Sequence, residues 1–322
     1  MTRLSVSVRL LLLLVAALTA CTSAPDHPPS RAAVLEAALQ GLPGVQGAYV
    51  NERAGGGSLP DITLYLPQAT RHQIIEAVDT INRHRSVRPG GYGPNVEFLV
   101  NEDGFAKVTR NSALEGTQIA DDVVRLRHLL TTVSADVITW HRGHDDPTGT
   151  LDLQEVDTPV AATFTAIRRD LGTERVAVTL RPAHDTLPPW DDTATAPTWT
   201  VSFPFTREQE IHVEAQLASL PVPKIQWVTI GDNGTITGLS VTVNGSAAAP
   251  GQLAAVVTTL GASHDRPLEL AWRTVGHGYG DATATSGVVT IGACHYPIGR
   301  DRDDPGNQIQ TLLRKQFDTC TR

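Results

Sequence analysis

Hydrophobic and polar residues alternate along the chain with two different periods, one typical of helices and one typical of strands. The same order of predicted helices and strands occurs three times. Apolar residues spaced by three and four predict helices, whereas strict alternation predicts strands with one buried face. Each copy contains a helix, two strands, a helix and two strands, and a final helix follows the third copy. Helices are predicted near 31–41, 68–85 and 117–131, from 159, from 206, around 253–260 and from 304. Strands are predicted near 45–51, 61–66, 95–101, 105–110, 135–141, 149–156, 175–181, 198–203, 224–230, 236–243, 268–273 and 287–292.

Turn and capping residues mark several element boundaries. Asp103-Gly104 is a strong hairpin signal between two strands. Thr206 and Gln209 have the spacing of a capping box, and Thr158 is the expected N-cap of the helix that begins with proline. These signals place the breaks between elements independently of the apolar periods.

The predicted fold class is α+β, with three tandem αββαββ modules and a C-terminal capping helix. Each copy is long enough for two helices on one face of an antiparallel sheet. The expected modules span 31–114, 115–204 and 205–322, and the last includes the terminal helix. That helix is expected to cover the last sheet as the first helix of a following module would.

Equivalent segments at 42–50 (LPGVQGAYV) and 220–228 (LPVPKIQWV) carry a family resemblance. Together with the doubled αββ order, they resemble BON-like and ferredoxin-like α+β modules of bacterial envelope proteins. The resemblance implies a module that binds partners or surfaces and carries no chemistry.

The first twenty residues have the pattern of an export signal. Arg3 and Arg9 precede the apolar run 10–18, and small residues follow it. The run is too short for a membrane-spanning helix. We therefore expect residues 1–20 to be a signal peptide and the mature protein to be exported.

Leu18-Thr19-Ala20-Cys21 resembles the bacterial lipobox. The resemblance implies cleavage before Cys21 and acylation of its thiol, and two or three acyl chains suffice for stable anchoring. Residues 21–30 would then form a short tether at the outer face of the cell membrane, with the lipid bilayer as a partner. An ordinary secretory signal with a chance cysteine is the alternative.

Charge and composition narrow the class of partner. Loss of residues 1–20, which hold Arg3 and Arg9 and no acidic residue, takes the formal net charge from −8 to −10. An acidic body argues against binding to nucleic acid. The preference for arginine over lysine is similar to that of high-GC bacteria such as actinomycetes.

Two cysteines remain if Cys21 is acylated, namely Cys294 and Cys320. In an exported protein such a pair most simply forms a disulfide. Metal binding by the two is the weaker alternative, because no nearby Cys or His completes a tetrahedral set.

Motifs of the best-marked enzymes are missing from the chain. It contains no GxSxG, HExxH, CxxC, SxxK, P-loop or GxGxxG motif. A Ser/His/Asp site assembled from distant residues has no required spacing, so enzymatic activity stays open. The interpretation that the sequence favours is a non-enzymatic binding or scaffold protein with no cofactor and with an envelope protein as its partner.

The best candidate for chemistry is the loop that contains His141, His144 and Asp145. Imidazole and carboxylate groups at this spacing can bind a metal, which makes a surface metal-dependent hydrolase the alternative function. A polar hairpin turn gives the same composition without any site.

Two long loops, 184–197 and 276–287, interrupt expected hairpins and carry the aromatic residues Trp190 and Tyr279. Long loops often have a function, so these residues are candidates for a recognition surface, or for a cover over neighbouring apolar area. A carrier of a small apolar or lipid ligand is the remaining alternative, because pattern cannot reveal a cavity between the sheet and the helices.

Overall fold

The protein is described by a computed structural model that covers residues 29–51, 61–84, 95–111, 113–143, 148–183, 196–274, 285–292 and 305–318. The helices are α1 Arg31–Gln40, α2 Arg71–His84, α3 Gly116–Leu130, α4 Val160–Leu171, α5 Arg207–Ala218, α6 Gly245–Leu260 and α7 Pro305–Phe317. The strands are β1 Gly47–Val50, β2 Ile62–Tyr65, β3 Val96–Leu99, β4 Ala106–Arg110, β5 Ala135–Arg142, β6 Thr150–Val156, β7 Val176–Pro182, β8 Thr198–Phe203, β9 Lys224–Ile230, β10 Ile236–Val243, β11 Leu268–Thr274 and β12 Ser286–Ile291.

All twelve strands form one continuous sheet, and their order across it is their order along the chain. The two strands of each hairpin are antiparallel, whereas strands joined through a helix are parallel neighbours. The structural repeat is therefore one hairpin followed by one helix.

The predicted fold class is wrong both within the modules and in their assembly, because each expected module contains a parallel strand pair (β2–β3, β6–β7 or β10–β11) in place of a purely antiparallel sheet. If the three modules had separate antiparallel sheets, β4 would not pair with β5, and β8 would not pair with β9. Both pairs are present, and both are parallel. The helices and strands themselves match the predicted elements in type and order. The error arises because periodicity shows where a strand is and which of its faces is buried, and not which strand lies beside it.

One face of the sheet carries the hydrophobic core. Val178, Val201 and Ile230 are paired in register on β7, β8 and β9, and all three are buried. Helices cover this face, since α1 packs on α2, α2 on α3 and α3 on α4. The alternating residues between the buried positions point to the opposite face, which none of the described helices covers.

The one-sided arrangement has a consequence for chain topology. Successive parallel pairs such as β2–β3 and β4–β5 run in opposite directions, while the chain always moves the same way across the sheet. With all helices on one face, neighbouring crossovers must therefore have opposite hands. Right-handed crossovers dominate in proteins, so some of the crossovers in this sheet have the less common hand.

Most local signals act as predicted. Gly104 has a φ of 74° in the turn between β3 and β4, a conformation that favours glycine. Thr206 and Gln209 form the capping box of α5. Thr158 does not cap α4, because Pro159 is the N-cap residue and the Thr158 hydroxyl oxygen instead accepts a hydrogen bond from the Ser134 backbone N–H at 2.8 Å.

Candidate functional site

The open face of the sheet is the candidate binding surface, and a row of polar side chains crosses its centre. Strand register aligns one residue from each of five neighbouring strands, β5 to β9, and all five are half-buried. These residues are Thr139, Asp152, Thr179, Thr200 and Thr229. Threonine suits such a surface, because its branched side chain packs on the pleat while its hydroxyl group can bond to a partner. The exception in this row is Thr229, whose Oγ1 is buried.

Two pairs of oppositely charged side chains lie on this face. Lys107 Nζ lies 3.0 Å from Glu97 Oε1, and Arg181 Nη2 lies 3.7 Å from Asp152 Oδ1. Gln154 Nε2 also donates to Asp152 Oδ2 at 2.7 Å. The central part of the face therefore presents hydroxyl groups and compensated charges rather than a field of one sign.

An aromatic side chain extends the polar row. Trp227 on β9 donates from its indole Nε1 to Thr200 Oγ1 at 3.3 Å. Its ring reaches over β10, where a Cβ atom at Gly238 would lie 3.2 Å from Trp227 Cη2. Because Gly238 has no side chain, the half-buried indole can lie across the neighbouring strand and offer a flat apolar surface.

His141, one of the predicted metal ligands, lies on the same open face at the end of β5. Its Nδ1 is 2.8 Å from the hydroxyl oxygen of Thr109, its partner in register on β4. His144 and Asp145 lie outside the described residues. Within the described part of the chain, no group of three His, Cys, Asp or Glu side chains is arranged to hold a metal ion, and the metal site stays a prediction.

The helix-covered face contains a charge cluster that the sequence analysis missed. Asp122 on α3 pairs with Arg110 on β4, and Arg142 Nε on β5 lies 3.0 Å from Asp122 Oδ2. Glu174 accepts a further hydrogen bond from Arg142. Burial is the main reason why the pKa of Arg110 falls to about 10, and it remains charged at neutral pH.

This cluster could have been found from one sequence signal. Arg110 and Arg142 occupy positions at which the strand alternation predicts buried side chains, and a buried arginine requires an acidic partner. Asp122 meets that requirement from the helix that connects the two strands. The cluster holds α3 on β4 and β5 and has no access to the open face.

The other predicted site residues lie outside the described residues. They are the lipidation residue Cys21, the proposed disulfide pair Cys294 and Cys320, and the loop aromatics Trp190 and Tyr279. Among the described helices, none has both the length and the hydropathy that crossing a bilayer requires.

Comparison with known proteins gave no match to a protein family, to a curated protein or to a solved structure. The assignment of function therefore rests on the residues and their geometry.

Proposed function

We propose that the protein is a lipid-anchored, non-enzymatic binding or scaffold protein of the cell envelope, which holds a protein partner on the open face of its sheet. The observation that carries the proposal is a twelve-stranded sheet on which the helices of the described residues pack from one side. The anchor is the acylated Cys21, and the tether of residues 21–30 keeps the sheet near the membrane surface.

The size of the open face supports a protein partner. Strands about 4.8 Å apart make a twelve-stranded sheet about 50 Å wide, and a seven-residue strand such as β7 is about 23 Å long. The resulting surface of about 1,000 Å² exceeds the roughly 800 Å² that each partner buries in a standard protein interface.

The order already present on this face also supports binding. Two of its ion pairs, Lys107–Glu97 and Arg181–Asp152, are formed before any partner arrives, and the backbone of strands β2 to β11 is fixed by neighbouring strands on both sides. A surface that is ordered in advance loses little conformational entropy on association. Trp227 supplies the kind of aromatic anchor that is enriched at energetically important interface positions.

Site-specific crosslinking in the native membrane tests the binding face. A photo-crosslinking residue in place of Thr139, in the central polar row, is expected to give one discrete adduct with an envelope protein. Thr179→Arg places a bulky charge two strands away in the same row and is expected to abolish the adduct. Thr258→Arg makes the same change at an exposed position on α6 and is expected to leave the adduct unchanged. An adduct that survives Thr179→Arg would contradict the assignment of the face.

Fractionation tests the anchor. Cys21→Ala removes the acylated thiol, so the variant is expected to leave the membrane fraction while its far-UV circular dichroism stays that of the parent protein. Unchanged membrane association of Cys21→Ala would contradict the lipid anchor, since the binding would then have to come from the folded chain or from an integral partner.

A further inference from the structure

Trp227 lies flat on the open face and reaches across the strand beside its own. Its indole Nε1 donates to Thr200 Oγ1 on β8, and its Cη2 lies 3.2 Å from the place that a Cβ atom of Gly238 would take on β10. Gly238 is buried although it lies on the open face, and Thr229 Oγ1, in register between these two contacts, is buried as well. The indole therefore covers these atoms with one ring face and presents the other face to the outside.

The outer ring face has no cation on it in the described part of the chain. No described arginine or lysine lies over this ring, and the cation–π contact that is present joins Arg142 to Trp140 on the helix-covered face. The hydrogen bond to Thr200 fixes the plane of the Trp227 ring before any ligand binds, so stacking on it costs little conformational entropy. Indole is also the best of the aromatic side chains for contact with a cation.

An exposed carboxylate lies beside this ring. Glu269 on β11 is the register partner of Gly238, so its strand lies about 4.8 Å from the strand that the indole covers. The Glu269 side chain is exposed, and no described residue forms a hydrogen bond or an ion pair with it. Glu97 and Asp152 on the same face are, in contrast, already paired with cations. Glu269 is therefore a carboxylate without a described counter-ion next to a flat aromatic surface.

We propose that Trp227 and Glu269 together bind an arginine side chain of the protein partner. The proposal rests on the proposed function, because it places the arginine on the protein that the open face holds. A guanidinium group that stacks on the indole can direct its in-plane N–H groups to the carboxylate beside the ring. A lysine ammonium is a compact charge without a flat surface, so it cannot stack and pair in the same way.

The charges at the site favour a cation over other groups. An apolar or acidic group on the indole would take water away from the Glu269 carboxylate and give it no donor in return, which is unfavourable. The formal net charge of −8, or −10 without residues 1–20, also attracts a basic group to this protein. The site therefore selects a partner that carries an arginine at the point of contact.

Binding of a single arginine side chain tests the site in the full chain without the unknown partner. The probe is N-acetyl-L-arginine amide, added at constant ionic strength to the protein in detergent, with nitrogen-labelled tryptophan and detection by NMR. The Trp227 indole N–H signal, assigned with Trp227→Phe, is expected to shift saturably, while the signals of the buried Trp140 and Trp199 stay in place. The citrulline analogue has the same shape without the charge and is expected to give no saturable shift, and the lysine analogue is expected to bind more weakly.

A charge-removing variant tests the carboxylate. Glu269→Gln keeps the size of the side chain and is expected to raise the dissociation constant of the arginine probe about threefold, the effect of an exposed ion pair. Glu208→Gln is the matched control, since Glu208 is an exposed residue of α5 on the helix side of the sheet, and this variant is expected to bind like the parent. The proposal is overturned by a Trp227 signal that does not move up to the solubility limit of the probe, by equal binding of the citrulline analogue, or by an unchanged dissociation constant in Glu269→Gln.

The crosslinked adduct at Thr139 separates this proposal from the proposed function. Glu269→Arg places a repelling charge beside the indole and leaves the central polar row unchanged, and it is expected to lower the yield of the adduct about tenfold. Circular dichroism establishes that the variant is folded. An adduct at the yield of the parent would overturn the arginine site and leave the open face as the binding surface. If the parent itself gives no adduct, the proposed function fails, and the arginine probe decides the site alone.

Discussion

Substitution of Asp122 by alanine is expected to be among the most destabilising changes at a polar position of this protein. Asp122 forms ion pairs with both Arg110 and Arg142. Asp122 and Arg110 are each only 1% exposed. Its removal leaves Arg110 with a hydrogen bond to the Thr109 carbonyl oxygen and with no carboxylate partner among the described residues. Arg142 keeps its pair with Glu174.

The size of the effect follows from the asymmetry of buried ion pairs. Removal of one partner leaves an uncompensated charge in the interior and costs about 3–5 kcal/mol. Replacement of a whole pair by apolar residues of similar volume is often neutral. We therefore expect Asp122→Ala to lose about 3–5 kcal/mol, and the double variant Arg110→Met with Asp122→Leu to recover most of that loss.

Urea denaturation measures both free energies of unfolding, with the m-value of each variant as a check that the same surface is exposed. Asp122→Asn separates the charge from the volume, since it keeps the size of the side chain. A loss below about 1 kcal/mol for Asp122→Ala would refute the reasoning, because that is the range of an exposed ion pair.

Two further predictions concern packing and pH. Gly287→Ala should lose about 1–3 kcal/mol in urea denaturation, since its Cβ would lie 2.4 Å from the buried ring of Trp272; the control Gly251→Ala, with open space in α6, should gain up to about 1 kcal/mol. Burial alone would raise the pKa of Asp170, but the hydrogen bond from Arg169 and other contacts lower it. The stability difference between the parent and Asp170→Asn should therefore be full at neutral pH and disappear as the pH falls below about 4, and a difference that persists in acid would exclude this linkage.

Local pattern determined most of the secondary structure. The alternation of Trp199, Val201 and Phe203 with Thr198, Thr200 and Ser202 predicts one buried and one open face, and β8 has that pattern of burial. Such a pattern depends only on the pleat of one strand and on the transfer of apolar side chains out of water. The open face as a candidate surface could thus be anticipated from individual strands.

Features that require two or more strands could not be predicted in the same way. The polar row from Thr139 to Thr229 exists only because register aligns residues far apart in the chain, and register depends on packing across the sheet. The cluster around Asp122 likewise needs α3 to lie over β4 and β5. The sequence predicts His141 as a candidate metal ligand because of its place beside a polar loop. Its contact with Thr109, by contrast, follows from the parallel pairing of β4 and β5.

Sequence by itself therefore determined the helices, the strands and the polarity of each strand face. Only the tertiary structure decided that β4 pairs with β5 and β8 with β9, which merges three expected modules into one sheet. The physical reason is that backbone hydrogen bonds between strands carry no side-chain identity, so the order of strands depends on the packing of helices over the whole buried face. For the same reason, only the tertiary structure could show that β1 and β12 are the edge strands of the sheet.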